Sequence, residues 1–289
     1  MIYLILSILC STLMSVLMRW FEDRISERMV MFITNYFVCI GLARWYMGAQ
    51  PLFPDSGSLG FTLLCGFISG VFFLVSLAIS QWNFATSGII LSSTFSKLGV
   101  LVPTSMAVIV FGERPGILQI LGFALAIASI FLINSDGGRG NLTELGKTKD
   151  PKLLKLMLFA NLFASGMTSA MSNIFDKMGE GSMKDHFLFY NFCFAMLSTL
   201  AVLVVKRTPV KLYDVIAGVI IGVPNYYSAR FMLYSLTTVP ATVAFPVNCI
   251  GTMLALFIAG SLLFGERLSQ KKKIAVAVIT VALVLLNLK

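Results

Sequence analysis

Acidic residues are few in this chain, 13 among 289 positions, and none lies near the centre of an apolar segment. The shortage removes the simplest intramembrane proton carrier, a carboxylate whose ionisation shifts with its surroundings. Charge of either sign is also low, 12% of residues against about 25% in a soluble domain, which argues against a soluble fold. There is one histidine, His186, at the start of an apolar segment, and the five cysteines (Cys10, Cys39, Cys65, Cys193, Cys249) all lie inside apolar segments. The cysteines read as small packing residues and not as a disulfide framework or a metal site. No nucleophile beside a base, no cluster with metal-ligand spacing and no phosphate-binding glycine loop can be assembled, so catalysis, a metal and a cofactor are all unexpected. The net charge of +9 does not point to nucleic acid, because Lys and Arg stand at the ends of apolar segments, where they set topology.

What the chain has in quantity is apolar length. Hydrophobic residues make up 57% of it, and a bilayer-spanning helix takes about 20 of them. Ten spans can be drawn, at 2–19, 29–47, 58–80, 85–110, 116–134, 152–175, 187–205, 213–235, 239–263 and 270–288. The first lacks the basic leader and small-residue cleavage site of a signal peptide and reads as part of the fold. Asn141-Leu142-Thr143 fits a glycosylation sequon, but one such tripeptide is expected by chance.

The spans fall into two sets of five. Phe111-Gly112-Glu113-Arg114 returns 153 residues later as Phe264-Gly265-Glu266-Arg267, and residues 111–134 overlie 264–287 without a gap, with seven identities. Ser11, Ser15 and Phe21 overlie Ser165, Ser169 and Phe175 at an offset of 154, and Asn35 overlies Asn191 at 156. Nearly constant offsets mean one unit used twice: residues 1–134, a glycine- and charge-rich linker over 135–151, and residues 152–289. An odd number of spans per unit makes the second enter the membrane from the opposite side. The expected fold is thus an all-α polytopic membrane protein with ten transmembrane helices in two inverted five-helix repeats, the plan of many secondary transporters, whose substrate site lies near the midplane between the halves. Of the 22 Lys and Arg, 15 flank odd-numbered connections and five flank even-numbered ones and the C-terminus, which places both termini outside the cytoplasm.

Ten spans, a five-span repeat and the paired Gly-Glu-Arg give the chain a form that resembles the drug/metabolite transporter superfamily, most closely its bacterial EamA-type members. The resemblance implies a helical basket lined by spans one to four and six to nine, with spans five and ten peripheral and the termini cytoplasmic, against the charge count. Relatives export amino acids and other metabolites, or exchange sugar phosphates and nucleotide sugars. It also implies a multi-pass protein of a bacterial inner or plasma membrane, acting as a monomer or weak homodimer. Its partners are then the lipid bilayer and a small-molecule substrate, and not nucleic acid.

Two charges fall inside the spans, Lys97 midway along the fourth and Arg230 near the end of the eighth. An intramembrane cation survives mainly where it faces a cavity, although a lysine can pack against helix carbonyls and an arginine can snorkel to the headgroups. Two interior cations without an interior anion favour an anionic or zwitterionic metabolite. In the sugar-phosphate and nucleotide-sugar branches a lysine of the fourth span contacts the anionic end of the substrate, and Lys97 resembles it in placement; Ile250 at the matching place of span nine speaks against a phosphate-rich substrate. Ser93 lies one turn before Lys97, Tyr226, Arg230 and Tyr234 recur at intervals of four, and Asn248 stands on span nine. Asn35 and Asn191 are amides repeated at matching places, and hydroxyls such as those of Ser69, Ser76 and Ser80 read as ordinary helix contacts. The candidate substrate-binding residues are therefore Lys97, Arg230, Tyr226, Tyr234, Asn248, Asn35, Asn191 and Ser93. The second reading within transport is an exporter of neutral or aromatic amino acids or drug-like compounds, with Phe73, Tyr226 and Tyr234 as contacts; a membrane-embedded enzyme or a receptor ranks lower. Glu113 and Glu266 read as structural, each near the first amides of the next helix. With no intramembrane carboxylate, uniport or substrate exchange is expected.

Overall fold

The computed structural model describes residues 1–22, 24–55, 57–87, 89–135, 151–206, 210–263 and 270–288. The second Gly-Glu-Arg copy and positions 136–150 of the linker lie outside them. Among the described residues the chain is helical and contains no strand: α1 (Ile2–Glu22), α2 (Arg28–Met47), α3 (Leu59–Ser87), α4 (Ile89–Leu98), α5 (Leu101–Ile109), α6 (Ile117–Ser135), α7 (Pro151–Met178), a 3-10 turn (Gly181–Met183), α8 (Lys184–Lys206), α9 (Leu212–Ser235), α10 (Ala241–Leu263) and α11 (Gln270–Asn287). Six of these, α1, α2, α3, α7, α8 with its leading turn, and α10, contain segments long and apolar enough to cross a membrane. Helix α9 is not among them, and it is the helix that carries the densest polar network described below.

The fourth expected span is two helices. Gly99 and Val100 bond back three residues, to Ser96 and Lys97, where an α-helix bonds back four, and α5 starts immediately after. A Cβ on Gly99 would overlap Ser165 Oγ and come within 2.9 Å of the backbone nitrogen of Gly166 on α7. The chain breaks where it presses on its neighbour.

Two compact units result, and neither is a contiguous stretch of sequence. The first comprises residues Met1–Leu74 and Met171–Val239. Helices do not gain hydrophobic energy by leaving lipid for one another, so they associate through close backbone approach and polar contacts. Both appear here. Gly218 and Gly222 of α9 meet α2, where added Cβ atoms would lie 2.7 Å from Thr34 Cβ and 2.8 Å from Val38 Cβ. Gly66 and Gly70 of α3 meet α8 in the same way, at 2.8 Å from Tyr190 Cβ and 2.6 Å from Phe194 Cβ. The glycines are 152 residues apart pairwise and their counterparts 156, so the same joint is made twice. On the other side of α9, Ser7 donates to the carbonyl of Ser228 at 3.1 Å and the hydroxyls of Ser11 and Ser228 meet at 2.5 Å. Two polar positions of the first span, Ser7 and Ser11, thus hold α9, while Thr12 and Ser15 bond back to carbonyls of their own helix. Cys39 and Cys65 are buried in the aromatic core of this unit, with Tyr36, Phe192 and Tyr226.

The second unit comprises residues Val75–Ala170 and Pro240–Lys289. Helix α6 runs along α11, with Gly122 against Leu286 and Ala282. Residues Ala275, Ile279, Ala282 and Leu286, spaced three and four apart, are buried. Helix α7 is tied to α3 and α4 by polar contacts: Ser80 donates to Asn161 Oδ1 at 2.8 Å, Asn161 Nδ2 to the Ser92 carbonyl at 3.2 Å, and Ser165 to the Ser96 carbonyl at 2.9 Å. Glu113, in the first Gly-Glu-Arg copy, accepts from the backbone amides of Ala241 and Thr242 at 3.1 and 2.9 Å. The carboxylate does serve the unpaired amides of a helix N-terminus, but the helix is α10, not the next one, α6.

Candidate functional site

One end of the first unit brings charged groups from several helices together. Helix α9 ends there, α8 and α3 begin there, and α2 runs out at Met47. Pro224 interrupts α9 one turn and a half before Arg230. The Arg230 guanidinium lies 2.7 Å from Asp185 Oδ1, the two side chains being 15% and 17% exposed. It also donates to the Tyr226 hydroxyl at 3.0 Å. Its flat faces are taken by tyrosines, with the Tyr46 ring centroid 3.6 Å away and that of Tyr234 5.0 Å away; each such contact contributes about 0.5–2 kcal/mol, more as water is excluded. Tyr226 and Tyr227 pack on Tyr46, and Tyr3 packs on Tyr234 and Phe231. Arg230 therefore does not snorkel to headgroups. It stands between the rings of Tyr46 and Tyr234, beside Tyr226, with an acid as counter-ion.

Asp185 sits in the first turn of α8, where backbone amides favour a carboxylate, and its two neighbours in sequence are anchored. Lys184 pairs with Asp176 of α7 at 2.6 Å, both almost fully buried. His186 Nε2 lies 3.0 Å from the Pro51 carbonyl, and Tyr190, one turn on, donates to the Leu52 carbonyl. Ser58 and Ser182 donate to Glu180 at 2.7 and 2.6 Å, which holds its carboxyl below the usual range, Ser182 having the larger effect. The 48–58 connection is thereby strapped to the α7–α8 turn. Asp185 itself is less well served. Its Oδ1 has the charge of Arg230 beside it but no aligned hydrogen bond, and its Oδ2 receives one long bond, from Tyr234 at 3.4 Å.

Three of the eight sequence-derived candidates meet here and five do not. Arg230, Tyr226 and Tyr234 form one cluster, as their spacing of four required. Asn35 lies deeper in the same unit, where its Oδ1 accepts from Asn225 Nδ2 at 2.9 Å and from the Cys39 thiol at 3.4 Å, with Cys39 also donating to the Gly222 carbonyl. Asn191 is on α8, where its Oδ1 is buried with no hydrogen-bond partner among the described residues. Lys97 and Asn248 belong to the other unit. Lys97 is half-buried at the C-terminal end of α4, within electrostatic reach of Cys249 on α10, and has no ion pair among the described residues. Asn248 supplies the carbonyl that Thr252 bonds at 2.7 Å. The backbone at Ser93 is helical; its side chain is outside the described ones. The stripe on α3 is spent on packing, with Phe73 edge-on to Tyr36 and Ser80 on Asn161.

Asp185 and Tyr46 are the residues that the sequence reading passes over. Counting Asp185 as an interfacial acid made Arg230 an interior cation without an anion; the structure places the two in contact across 45 residues. Asn225 was equally findable, as a carboxamide inside an apolar span beside Tyr226.

Comparison with known proteins bears on what these helices belong to. Residues 154–288 match the model of the EamA-like transporter family. A protein of Haemophilus influenzae described as uncharacterized is 27% identical, over 92% of this chain and 91% of its own. A solved crystal structure superposes with a TM-score of 0.74 at 13% identity, covering 99% of this chain and 95% of the other, a likeness of fold. The apolar helices and the family match together make the chain a multi-pass membrane protein, similar over residues 154–288 to the EamA-like transporter family.

Proposed function

We propose that the protein is a secondary transporter that carries a small zwitterionic metabolite across the membrane by alternating access, without catalysis of its own. The observation that carries this reading is the Arg230–Asp185 pair at 2.7 Å inside a ring of tyrosines. A guanidinium and a carboxylate side by side present the two charges that a zwitterion needs, and the pair is neutral overall. That neutrality is why the zwitterion is favoured over the anion that two unpaired cations would suggest. The tyrosine faces also support the narrower reading that the substrate carries an aromatic group. Tyr226 and Tyr234 then contact the substrate beside Arg230, while Asn35 and Asn191 serve as amide donors deeper in the unit. In the other unit, Lys97, with Ser93 and Asn248, is proposed to face the transported molecule.

A thermal-shift screen on the purified protein tests the reading, since a ligand of the folded state raises the unfolding midpoint by mass action. Amino acids with aromatic side chains are expected to raise it at concentrations where dicarboxylates and sugar phosphates do not. Stabilisation by the multivalent anions alone overturns the proposal.

A further inference from the structure

We infer that Asp185 is the residue by which this site rejects plain carboxylates, acting as a built-in occupant of the carboxylate position on Arg230 that a ligand must replace. The inference rests on the substrate reading above. In the structure Asp185 Oδ1 lies 2.7 Å from the guanidinium, and no other acid pairs with Arg230 among the described residues. An incoming carboxylate therefore competes with Asp185 for the same donors.

The competition is unequal for different ligands. Removing one partner of a largely buried ion pair leaves the other unpaired, which costs far more than the pair itself contributes. A monocarboxylate that takes Arg230 strands Asp185. An amine that takes Asp185 strands Arg230. A zwitterion serves both at once and leaves the site neutral.

Two further features make Asp185 an acceptor in waiting. Its carboxylate lacks an aligned hydrogen bond at Oδ1 and has a single long one at Oδ2, from Tyr234 at 3.4 Å. It is therefore short of donors that an ammonium supplies in threes. It also cannot follow Arg230 away, since Lys184 is anchored to Asp176 and His186 to the strap carbonyl of Pro51.

Three probes that differ only in charge test this: phenylalanine, hydrocinnamate, which lacks the ammonium, and phenethylamine, which lacks the carboxylate. Binding to the full chain in detergent is measured for wild type, Asp185→Asn and Arg230→Gln. Wild type is expected to bind phenylalanine about tenfold more tightly than hydrocinnamate, the ratio for one well-placed charge pair. In Asp185→Asn the gap closes, through tighter hydrocinnamate, while phenethylamine weakens. If Asp185→Asn keeps the wild-type ranking while Arg230→Gln loses phenylalanine, the site reading stands and the role given to Asp185 is wrong. If phenylalanine binds all three proteins alike, or binds none, the site reading falls and takes this inference with it. A measurement on wild type alone guards against a variant that does not fold. Adding methylammonium, which supplies the missing charge on a separate molecule, is expected to tighten hydrocinnamate binding several-fold; no effect overturns the inference.

Discussion

Removing the side chain of Asp214 should loosen α2 from its starting end. The N-cap position of α2 is Glu27, whose own side chain makes no capping bond. The capping is done from another helix: Asp214, fully buried in the first turn of α9, accepts from the backbone amides of Ser26 at 2.9 Å and Glu27 at 3.2 Å. A hydrogen bond to a charged group contributes about 1.5–3 kcal/mol, and a lost cap costs about 0.5–2 kcal/mol. Ser26 is exposed, so water can replace part of what its amide loses. Asp214→Ala is therefore expected to cost about 2–3 kcal/mol. Asp214→Asn keeps one acceptor and should cost about 1 kcal/mol. At roughly 2–4 °C per kcal/mol, the midpoints should fall by about 5–10 °C and about 3 °C. A thiol-reactive fluorophore reads this directly, because Cys39 and Cys65 are buried until the unit opens. An Asp214→Ala protein that melts with the wild type would refute the capping argument, and an Asn variant as damaged as the Ala variant would show that charge, not the paired acceptors, holds the helix.

Gly222→Ala would place a Cβ 2.8 Å from Val38 Cβ and 2.9 Å from the Asn35 carbonyl, so a loss of about 1–3 kcal/mol from overpacking is expected despite the better helix propensity of alanine. Gly41→Ala, where nothing lies within 4 Å, should hold or raise the midpoint, and a drop equal to that of Gly222→Ala would count against close packing as the cause. Glu113→Ala leaves the amides of Ala241 and Thr242 without their acceptor and should destabilise by about 1–2 kcal/mol, while Glu113→Gln restores part of it; equal midpoints for the two variants would contradict this. Lys97→Ala is expected to abolish or strongly weaken transport in liposomes at unchanged abundance and fold, and unchanged flux removes Lys97 from the transport path. Because its hydroxyl donors hold Glu180 below the usual carboxylate range, its tie to Ser58 is fully present above that range and is lost as pH falls through the lowered value. Hydrogen exchange at the start of α3 should therefore quicken only in acid below the ordinary glutamate range, and an onset at neutral pH would refute the assignment.

Apolar runs made the helices legible, since every described α-helix overlaps an expected span, although α3 runs on to Ser87, into the fourth, and the fourth splits. The split was hidden because its cause, the backbone of α7 pressing on Gly99, is a contact between distant segments. The same limit explains the site. The spacing of Tyr226, Arg230 and Tyr234 is local to one helix and survives into the structure unchanged. The partner of Arg230 is not local: an acid in the first turn of α8 looks interfacial from the sequence, and only packing reveals that α9 ends beside it. Glu113 shows a mixed case, in which the chemistry of the carboxylate was readable and the helix it serves was not.

The joints between α2 and α9 also set a timetable for synthesis. Asn35 finds its amide partner 190 residues downstream, at Asn225, and at about 5–20 residues per second that partner emerges roughly 10–40 s later. Throughout that interval α2 is in the membrane with a carboxamide and a thiol turned toward a neighbour that does not yet exist. Its glycine-lined socket arrives only with α9. The early helices must therefore be held by the insertion machinery or by provisional contacts with each other, and the time at which Cys39 becomes shielded from a thiol reagent on stalled nascent chains marks the arrival of α9.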